Sequence, residues 1–505
     1  MHLPCALQNQ AMSTSPAVSG SVVLGCFTWA FAVRFLFLSA TPHPLGVDGY
    51  YYAIQVRSLL ESGQLFYPAS PLVFWWLVPF AALTDPIVGV KLGAALGTAA
   101  IVFPTYLLIQ RLSNERSAGV VGAAVVATSA QSFYLSTEFV KQGVGLTLTL
   151  GFLAALTEAM ARPSLLRVLL ALGLLGLTLL AHKLAFAVAL LVALPALAVT
   201  VWRWRKGARG RVLVAAGLVV MVLVYLKGGA LGSETLQFLA HTFREEVDFS
   251  FATLVRGNGA RLFFQHEVRW AALLAVFIMG RWVWSRKSLS ARRDEGKEPS
   301  PVVLGLILLC VLTALPWLNI EDRQGLAMRL RLTAFLPLAV FTGLLFAQML
   351  ERAREMTRTM ACAASIAALL LLRPSQPREG TVTVMEDRAG AARELEGAIP
   401  PEALVITTDR HLAFMTTWYT RASARKSVPS RIEPERTYRL MALASLDGPF
   451  WDALEACRSS ARSAAWTPGD VPRVFAGALV LLTERCFQEA RSHVPVSSQL
   501  PGREW

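Results

Sequence analysis

Charge is scarce in this chain. Asp, Glu, Lys and Arg make up 16% of its 505 residues, well below the roughly 25% of soluble domains. With 54% hydrophobic residues and a mean hydropathy of +0.48, an ordinary water-soluble fold is excluded. Metal-ligand spacing is also missing. Of the six cysteines, Cys26, Cys310 and Cys362 fall inside apolar runs and read as packed, inert thiols. Only Cys457 and Cys486 share a polar region, where a disulfide and two thiols are both open readings if that region lies outside the cytoplasm. No histidine pair has ligand spacing, and HExxH, P-loop, GxSxG and strand-linked GxGxxG motifs are absent. Hydrolytic zinc sites and nucleotide-phosphate sites are therefore disfavoured. The N-terminus has no basic region and no small-residue cleavage site ahead of Ser21 to Ala40, so that run reads as an uncleaved first span. Internal repeats and low-complexity tracts are missing too, apart from short basic loops.

What is present is a series of long apolar windows. A helix crosses a hydrocarbon core of about 30 Å with roughly 17 to 25 apolar residues. By that measure the sequence predicts about eleven spans, near 18–40, 86–110, 117–135, 143–160, 165–181, 184–202, 211–227, 268–284, 302–318, 332–350 and 359–373. Pro71 to Leu83 is too short to cross and carries two prolines, so it reads as an interfacial or re-entrant helix. Leaving it out orders the loop charges. Arg111 and Arg116, Arg162 and Arg167, "WRWRKGARGR" (Trp202 to Arg211), "SRKSLSARRDEGK" (Ser285 to Lys297) and "ERAREMTR" (Glu351 to Arg358) then share one side. The positive-inside rule makes that side the cytoplasm. The net charge of +14 thus reflects loops held against an anionic leaflet rather than nucleic-acid binding.

The polar tail, with strand-like "ALVITT" (Ala403 to Thr408) and "FAGALVLLT" (Phe475 to Thr483), reads as a small α/β domain on the outer side. The expected organisation is a cytoplasmic segment 1–17, a transmembrane domain 18–373 and an outer domain 374–505. This predicts an all-α polytopic protein of the cell inner (plasma) membrane with its C-terminal domain outside the cytoplasm.

The chemistry-bearing residues gather on the outer side. Asp48 precedes Tyr50, Tyr51 and Tyr52 and an amphipathic stretch with Ala53, Val56, Leu59 and Leu60 at helical spacing. One reading is an N-cap aspartate beside an interfacial aromatic belt; the other is a general base whose proton affinity rises near lipid. Glu138 and Lys141, in "YLSTEFVKQG", are either a local ion pair or a carboxylate and a cation facing substrate, the carboxylate sharing acid/base work or metal binding with Asp48. His182 and Lys183 split about 38 apolar residues, which marks a tight turn between two spans of ordinary length and can also supply donors to a phosphate or sugar. Arg323, Arg329 and Arg331 run against the charge trend; one of Arg329 and Arg331 is expected to bind an anion, with snorkelling as the alternative. The loop Gly228 to Glu267, with Glu234, His241, Arg244, Glu245, Glu246 and Asp248, reads as a flap or as a solvated charge run.

Taken in order and on one side, these motifs resemble the GT-C fold glycosyltransferases, membrane enzymes that take a sugar from a polyprenyl-phosphate or polyprenyl-diphosphate donor. Asp48 in "VDGYYYAIQVRSLL" matches the acidic residue after the first span, and "SPLVFWWLVPF" the proline-led segment before the second. Glu138 matches the second-loop acid, Lys141 the following helix start, "AHKLAF" the outer histidine, and "MRLRLTAFLP" the donor-phosphate arginine. The tail lacks the WWD signature of the oligosaccharyltransferase catalytic subunit, since Trp418 and Trp451 stand alone. The resemblance is therefore to the protein O-mannosyltransferase and aminoarabinose-transferase type. It implies Asp48 and Glu138 as catalytic residues, Tyr50, Tyr51, Lys141, His182, Arg329 and Arg331 as substrate-binding residues, and a lipid, glycan or protein acceptor. A divalent metal (Mg²⁺ or Mn²⁺) stays open, because Glu138 stands where the family often has an Asp-x-Asp pair. The rival classes are a transporter or flippase, which would pair charges deep in the bilayer between repeated halves, and a polymerase or ligase of polyprenyl-linked glycans.

Overall fold

A computed structural model of the chain describes residues 16–46, 48–204, 265–289, 300–314, 326–350, 389–407, 410–425, 436–442, 452, 473–475 and 479–493. The spans expected at 211–227 and 359–373, the Gly228 to Glu267 loop up to residue 264, Arg323 and Cys457 lie outside them. The chain divides into two compact units. The first comprises 1–39, 67–77 and 91–376, and the second 40–66, 78–90 and 377–505.

The first unit is built from helices. α1 (Pro16–Leu38) is followed, beyond residues of the second unit, by α4 (Pro86–Ala99), α5 (Val102–Ser113), α6 (Arg116–Thr128), α7 (Ala130–Thr137), α8 (Val140–Ala161), α9 (Leu165–Ala181) and α10 (Lys183–Trp204). α11 (Gln265–Leu289), α12 (Pro301–Ala314), α13 (Leu326–Arg331) and α14 (Phe335–Leu350) complete it. Among the described residues four stretches are long and apolar enough to cross a membrane: Val18–Leu38, Pro86–Ser113, Val140–Ala161 and Met328–Leu350. α6 and α7, bent by 49° at Ser129, form a fifth if read as one broken span. α9, the Lys183–Val199 part of α10, and α12 are apolar but shorter. α3 (Leu72–Leu83), the proline-led piece, has 12 residues, well under the span length.

Small residues set the helix packing. A Cβ added to Gly122 of α6 would lie 3.1 Å from the Ala339 carbonyl of α14, and one on Gly343 of α14 would lie 2.9 Å from the Ala118 carbonyl of α6. At Gly305 of α12 it would collide with the Val192 carbonyl of α10. Backbones approach this closely only where side chains are missing, which is how apolar helices associate when lipid is as apolar as they are. On α9, by contrast, Leu165, Leu166, Leu169, Leu170 and Leu172 all point outward and are more than half exposed, as a lipid-facing surface requires.

α8 separates two polar ends. Its last turn carries Glu158, which Arg111 of α5 (3.6 Å) and Arg167 of α9 (3.5 Å) both approach. Two arginines expected to share a side therefore meet on one carboxylate. Lys141 lies in the first turn, about 25 Å away at 1.5 Å per residue.

The second unit holds α2 (Gly49–Ser62), α15 (Arg410–Thr420), α16 (Glu484–His493) and a five-stranded sheet of β1 (Leu404–Thr407), β2 (Ser423–Arg425), β3 (Thr437–Ala442), β4 (Arg473–Phe475) and β5 (Leu479–Thr483). Strand order is β2-β1-β3-β5-β4. β1 runs parallel to β2 and β3; β5 is antiparallel to β3 and β4. The strand expected over Phe475 to Thr483 is two strands, with Phe475 pairing Leu479. Hydrophobicity alone does not mark this reversal, because the connecting Ala-Gly-Ala is itself apolar. Val405, Leu440 and Leu481 form the sheet's buried centre with Leu412 and Ala413 of α15.

Candidate functional site

In the second unit, Asp48 sits at the N-cap position of α2 but makes no side-chain cap. Its carboxylate is buried; Oδ1 has no hydrogen-bond partner and faces Arg410 Nη2 at 3.5 Å. The capping reading of Asp48 is thus not what its side chain does. α2 is placed by α15: Arg57 donates to the carbonyls of Trp418 (2.8 Å) and Thr417 (3.3 Å) while lying 4.3 Å from the Trp418 ring centre. Arg421 closes the far end with two bonds to Glu61, 3.0 and 3.1 Å.

The tyrosines turn inward rather than forming a belt. Tyr50, Tyr51 and Tyr52 are all buried. The Tyr50 hydroxyl meets His43 Nδ1 at 2.9 Å and the Tyr419 hydroxyl at 3.2 Å. Burial, helped by Tyr419, raises its proton affinity far above that of a free phenol. Tyr51 is pushed up to about 12, by burial first and then by the nearby Asp48 charge, against the opposing hydrogen bond from Gln55 and the charge of Arg410. Both phenols stay protonated at neutral pH.

The first unit brings a second set together where α7 meets α8. Glu138 is the C-cap of α7. Phe139, Lys141 and Gln142 follow at once. His182 occupies the one-residue turn between α9 and α10 in extended conformation, and Gly145, one turn beyond Gln142, makes room for it: a Cβ there would lie 3.2 Å from that of His182. The His182 ring is held neutral, its pKa pushed well below the ordinary range by burial and then by the charges of Lys141, Arg329 and Lys183. The Arg329 guanidinium stacks 4.5 Å from the Phe139 ring centre, and Lys141 Nζ lies 5.3 Å from that of Phe74. Arg331 is buried. Side-chain atoms Gln142 Oε1, His182 Nδ1 and Arg329 Nε are buried without hydrogen-bond partners. The charges of Lys141, Arg329 and Lys183 all act on the His182 ring, and guanidinium and ammonium donors of this kind both recognise a phosphate.

Of the residues singled out in the sequence, Lys141, His182 and Arg329 are therefore neighbours, and Asp48, Tyr50 and Tyr51 belong to the second unit. Four residues escaped the sequence reading: Arg410 beside Asp48, Gln131, Gln142 and Glu267. Gln142 donates to the Arg329 carbonyl (2.8 Å) and Gln131 to that of Arg331 (3.2 Å). No spacing marks any of them. The only available signal was polarity inside apolar helices, which applied to Gln131 and Gln142. Among the described residues no group of three or more His, Cys, Asp or Glu side chains is placed to hold a metal ion.

Helices of membrane-spanning length beside a small mixed sheet mark an integral membrane protein, and its likeness to solved structures is to those of the GT-C fold. The chain is similar to ArnT from Cupriavidus metallidurans bound to undecaprenyl phosphate, at 13% identity over 93% of this chain and 97% of that one, with a TM-score of 0.51. It is also similar to the apo oligosaccharyltransferase of Archaeoglobus fulgidus, at 13% identity over 81% of this chain and 64% of that one, TM-score 0.53. Apo ArnT gives 15% identity over 93% and 98%, TM-score 0.50. At these identities the likeness is one of fold. No family model matches the sequence, and no curated protein matches it.

Proposed function

We propose that the chain is a membrane glycosyltransferase that moves a sugar from a polyprenyl-phosphate or polyprenyl-diphosphate donor to an acceptor hydroxyl on the outer face of the inner membrane. The observation that carries this reading is the cluster of Lys141, His182 and Arg329 in a chain with the GT-C fold. The ArnT neighbour's undecaprenyl phosphate is a ligand of the chemistry such a cluster would take.

In the proposed reaction the acceptor oxygen forms a bond to the anomeric carbon, with inversion, as the bond from that carbon to the phosphate oxygen breaks. The acceptor proton passes to the Asp48 carboxylate, and the prenyl phosphate leaves as an anion. Because Arg329, Arg331 and Lys141 would stabilise that leaving charge, no general acid is needed. Glu138 would share the acid/base work, and Tyr50 and Tyr51 would shape the acceptor side. Among the described residues no three His, Cys, Asp or Glu side chains gather to hold a metal ion; a Mg²⁺ or Mn²⁺ ion would instead be held by one or two carboxylates such as Asp48 or Glu138 with the donor phosphate. The acceptor class, lipid, glycan or protein, is left to assay.

The deciding experiment is transfer of labelled sugar from a polyprenyl-phosphate donor by membranes carrying the wild type or Asp48→Asn. The expected loss is about 10²- to 10⁴-fold, the scale of a positioned general base, at unchanged expression and melting temperature. Near-wild-type turnover in the variant rejects Asp48 as the base.

A further inference from the structure

α13 and α14 are not one continuous helix. In an unbroken ladder the Phe335 N–H would donate to the Arg331 carbonyl, four residues back. Instead the side-chain amide of Gln131, from α7, occupies that step: Phe335 N donates to Gln131 Oε1 (2.9 Å), and Gln131 Nε2 donates to the Arg331 carbonyl (3.2 Å). Gln131 is fully buried, and both ends of its amide are engaged, so its orientation is fixed. Around the break the backbone tightens into three-residue turns, with Thr333 N to Leu330 O (3.0 Å), Ala334 N to Arg331 O (3.1 Å) and Leu336 N to Thr333 O (3.0 Å). A side chain inserted into the i to i−4 ladder is a recognised cause of a helix break.

A second amide holds the same segment two residues earlier. Gln142 Nε2 donates to the Arg329 carbonyl at 2.8 Å. The reverse orientation would set two oxygens against each other, so the Gln142 amide oxygen must point away from that carbonyl, and it is one of the buried atoms without a partner. Gln131 is itself anchored at the start of α7, where Glu267 accepts from Ser129 Oγ (2.8 Å), Ala130 N (2.7 Å) and Gln131 N (3.3 Å). Arg34 of α1 ties the next residue, donating from Nη2 to Ser132 Oγ at 2.8 Å.

We infer that Gln131 and Gln142 are positioning residues for anion binding: by wedging open the ladder step between Arg331 and Phe335 and by clasping the Arg329 carbonyl, they set the direction in which both arginines project. This rests on the anion-binding reading of the arginines. Apolar replacement of Gln131 would let Phe335 N and Arg331 O re-pair, which restores the continuous ladder and turns the Arg331 side chain away from its present direction, while Arg329 stays held by Gln142.

A double-mutant cycle in the full-length protein in lipid nanodiscs, with undecaprenyl phosphate as the probe, tests it. Arg331→Ala should weaken binding, and Gln131→Met should weaken it about tenfold, the scale of one hydrogen bond to a charged group. In the Arg331→Ala background Gln131→Met should change affinity by less than about twofold, since its effect is exerted through that arginine. A purely structural role would lower affinity equally in both backgrounds, and that result overturns the inference. If Arg331→Ala and Arg329→Ala both leave affinity unchanged, the anion-binding reading itself fails, which is a different outcome. Should Gln131→Met not fold, the cycle of Gln142→Met with Arg329→Ala decides on the same criterion.

Discussion

Glu267 offers the sharpest test of how the arginine segment is supported. Its carboxylate spans the bend between α6 and α7, taking one hydroxyl and two backbone N–H donors at 2.7 to 3.3 Å. Those N–H groups belong to the first turn of α7 and have no partner within the helix. Glu267→Ala strands them away from water, at about 1 to 3 kcal/mol each, so about 2 to 6 kcal/mol in all. Glu267→Gln retains an oxygen for both N–H groups. Burial raises the Glu267 carboxyl to about 7 against those three hydrogen bonds, so above that pH the Gln variant also loses the attraction between a carboxylate charge and the helix N-terminus, about 0.3 to 2 kcal/mol. The expected order of melting temperature in detergent is wild type, then Gln, then Ala, with the larger gap between Gln and Ala. Because α7 carries Gln131, affinity for undecaprenyl phosphate should fall in the same order. Equal melting temperatures for Gln and Ala would refute the capping argument. Lowered stability with unchanged affinity in both would instead detach α7 from the arginines.

His182 gives a pH prediction with a definite sign. Its folded pKa is depressed, so on acidification the unfolded chain takes up a proton that the folded chain refuses. Stability from this group is complete above about pH 6.5 and declines below it by up to about 1.4 kcal/mol per pH unit. Melting curves of the wild type and His182→Gln between pH 7.5 and 5 should diverge at the acid end; parallel acid limbs would show that His182 is not held neutral. In the sheet domain, Arg439 and Glu484 form a buried two-bond pair at 2.6 and 3.1 Å, with Gln488 bonding the same carboxylate at 2.6 Å. Arg439→Ala leaves that carboxylate buried and uncompensated, at about 3 to 5 kcal/mol. Amide hydrogen exchange in β3 and β5 should accelerate accordingly, and unchanged protection would contradict the burial of the pair.

How much was legible in the sequence depended on whether the information was local. Apolar windows and their lengths announced the helices, because spanning a hydrocarbon layer is a requirement on consecutive residues. The short proline-led piece at 72–83 and the turn at His182 were readable for the same reason. So was the meeting of Arg111 and Arg167 at one end of the bundle, since loop charge sorts by side. "ALVITT" gave away β1, whereas "FAGALVLLT" concealed a hairpin in a uniformly apolar run.

Side-chain roles were another matter. Asp48 and Tyr50 stand two apart, and nothing local says that the first leaves its helix uncapped to face Arg410, 362 positions along, while the second turns inward to Tyr419. Gln131 looks like any polar residue in a helix until Phe335, 204 positions on, supplies the donor it accepts. The sequence by itself determined that this is an integral membrane protein, which of its stretches are long and apolar, and where unusual polar residues fall, all properties of short windows of chain. Tertiary structure alone decided which of those residues touch, because hydrogen bonds and ion pairs act over about 3 Å between groups that the chain brings together only once its helices have packed.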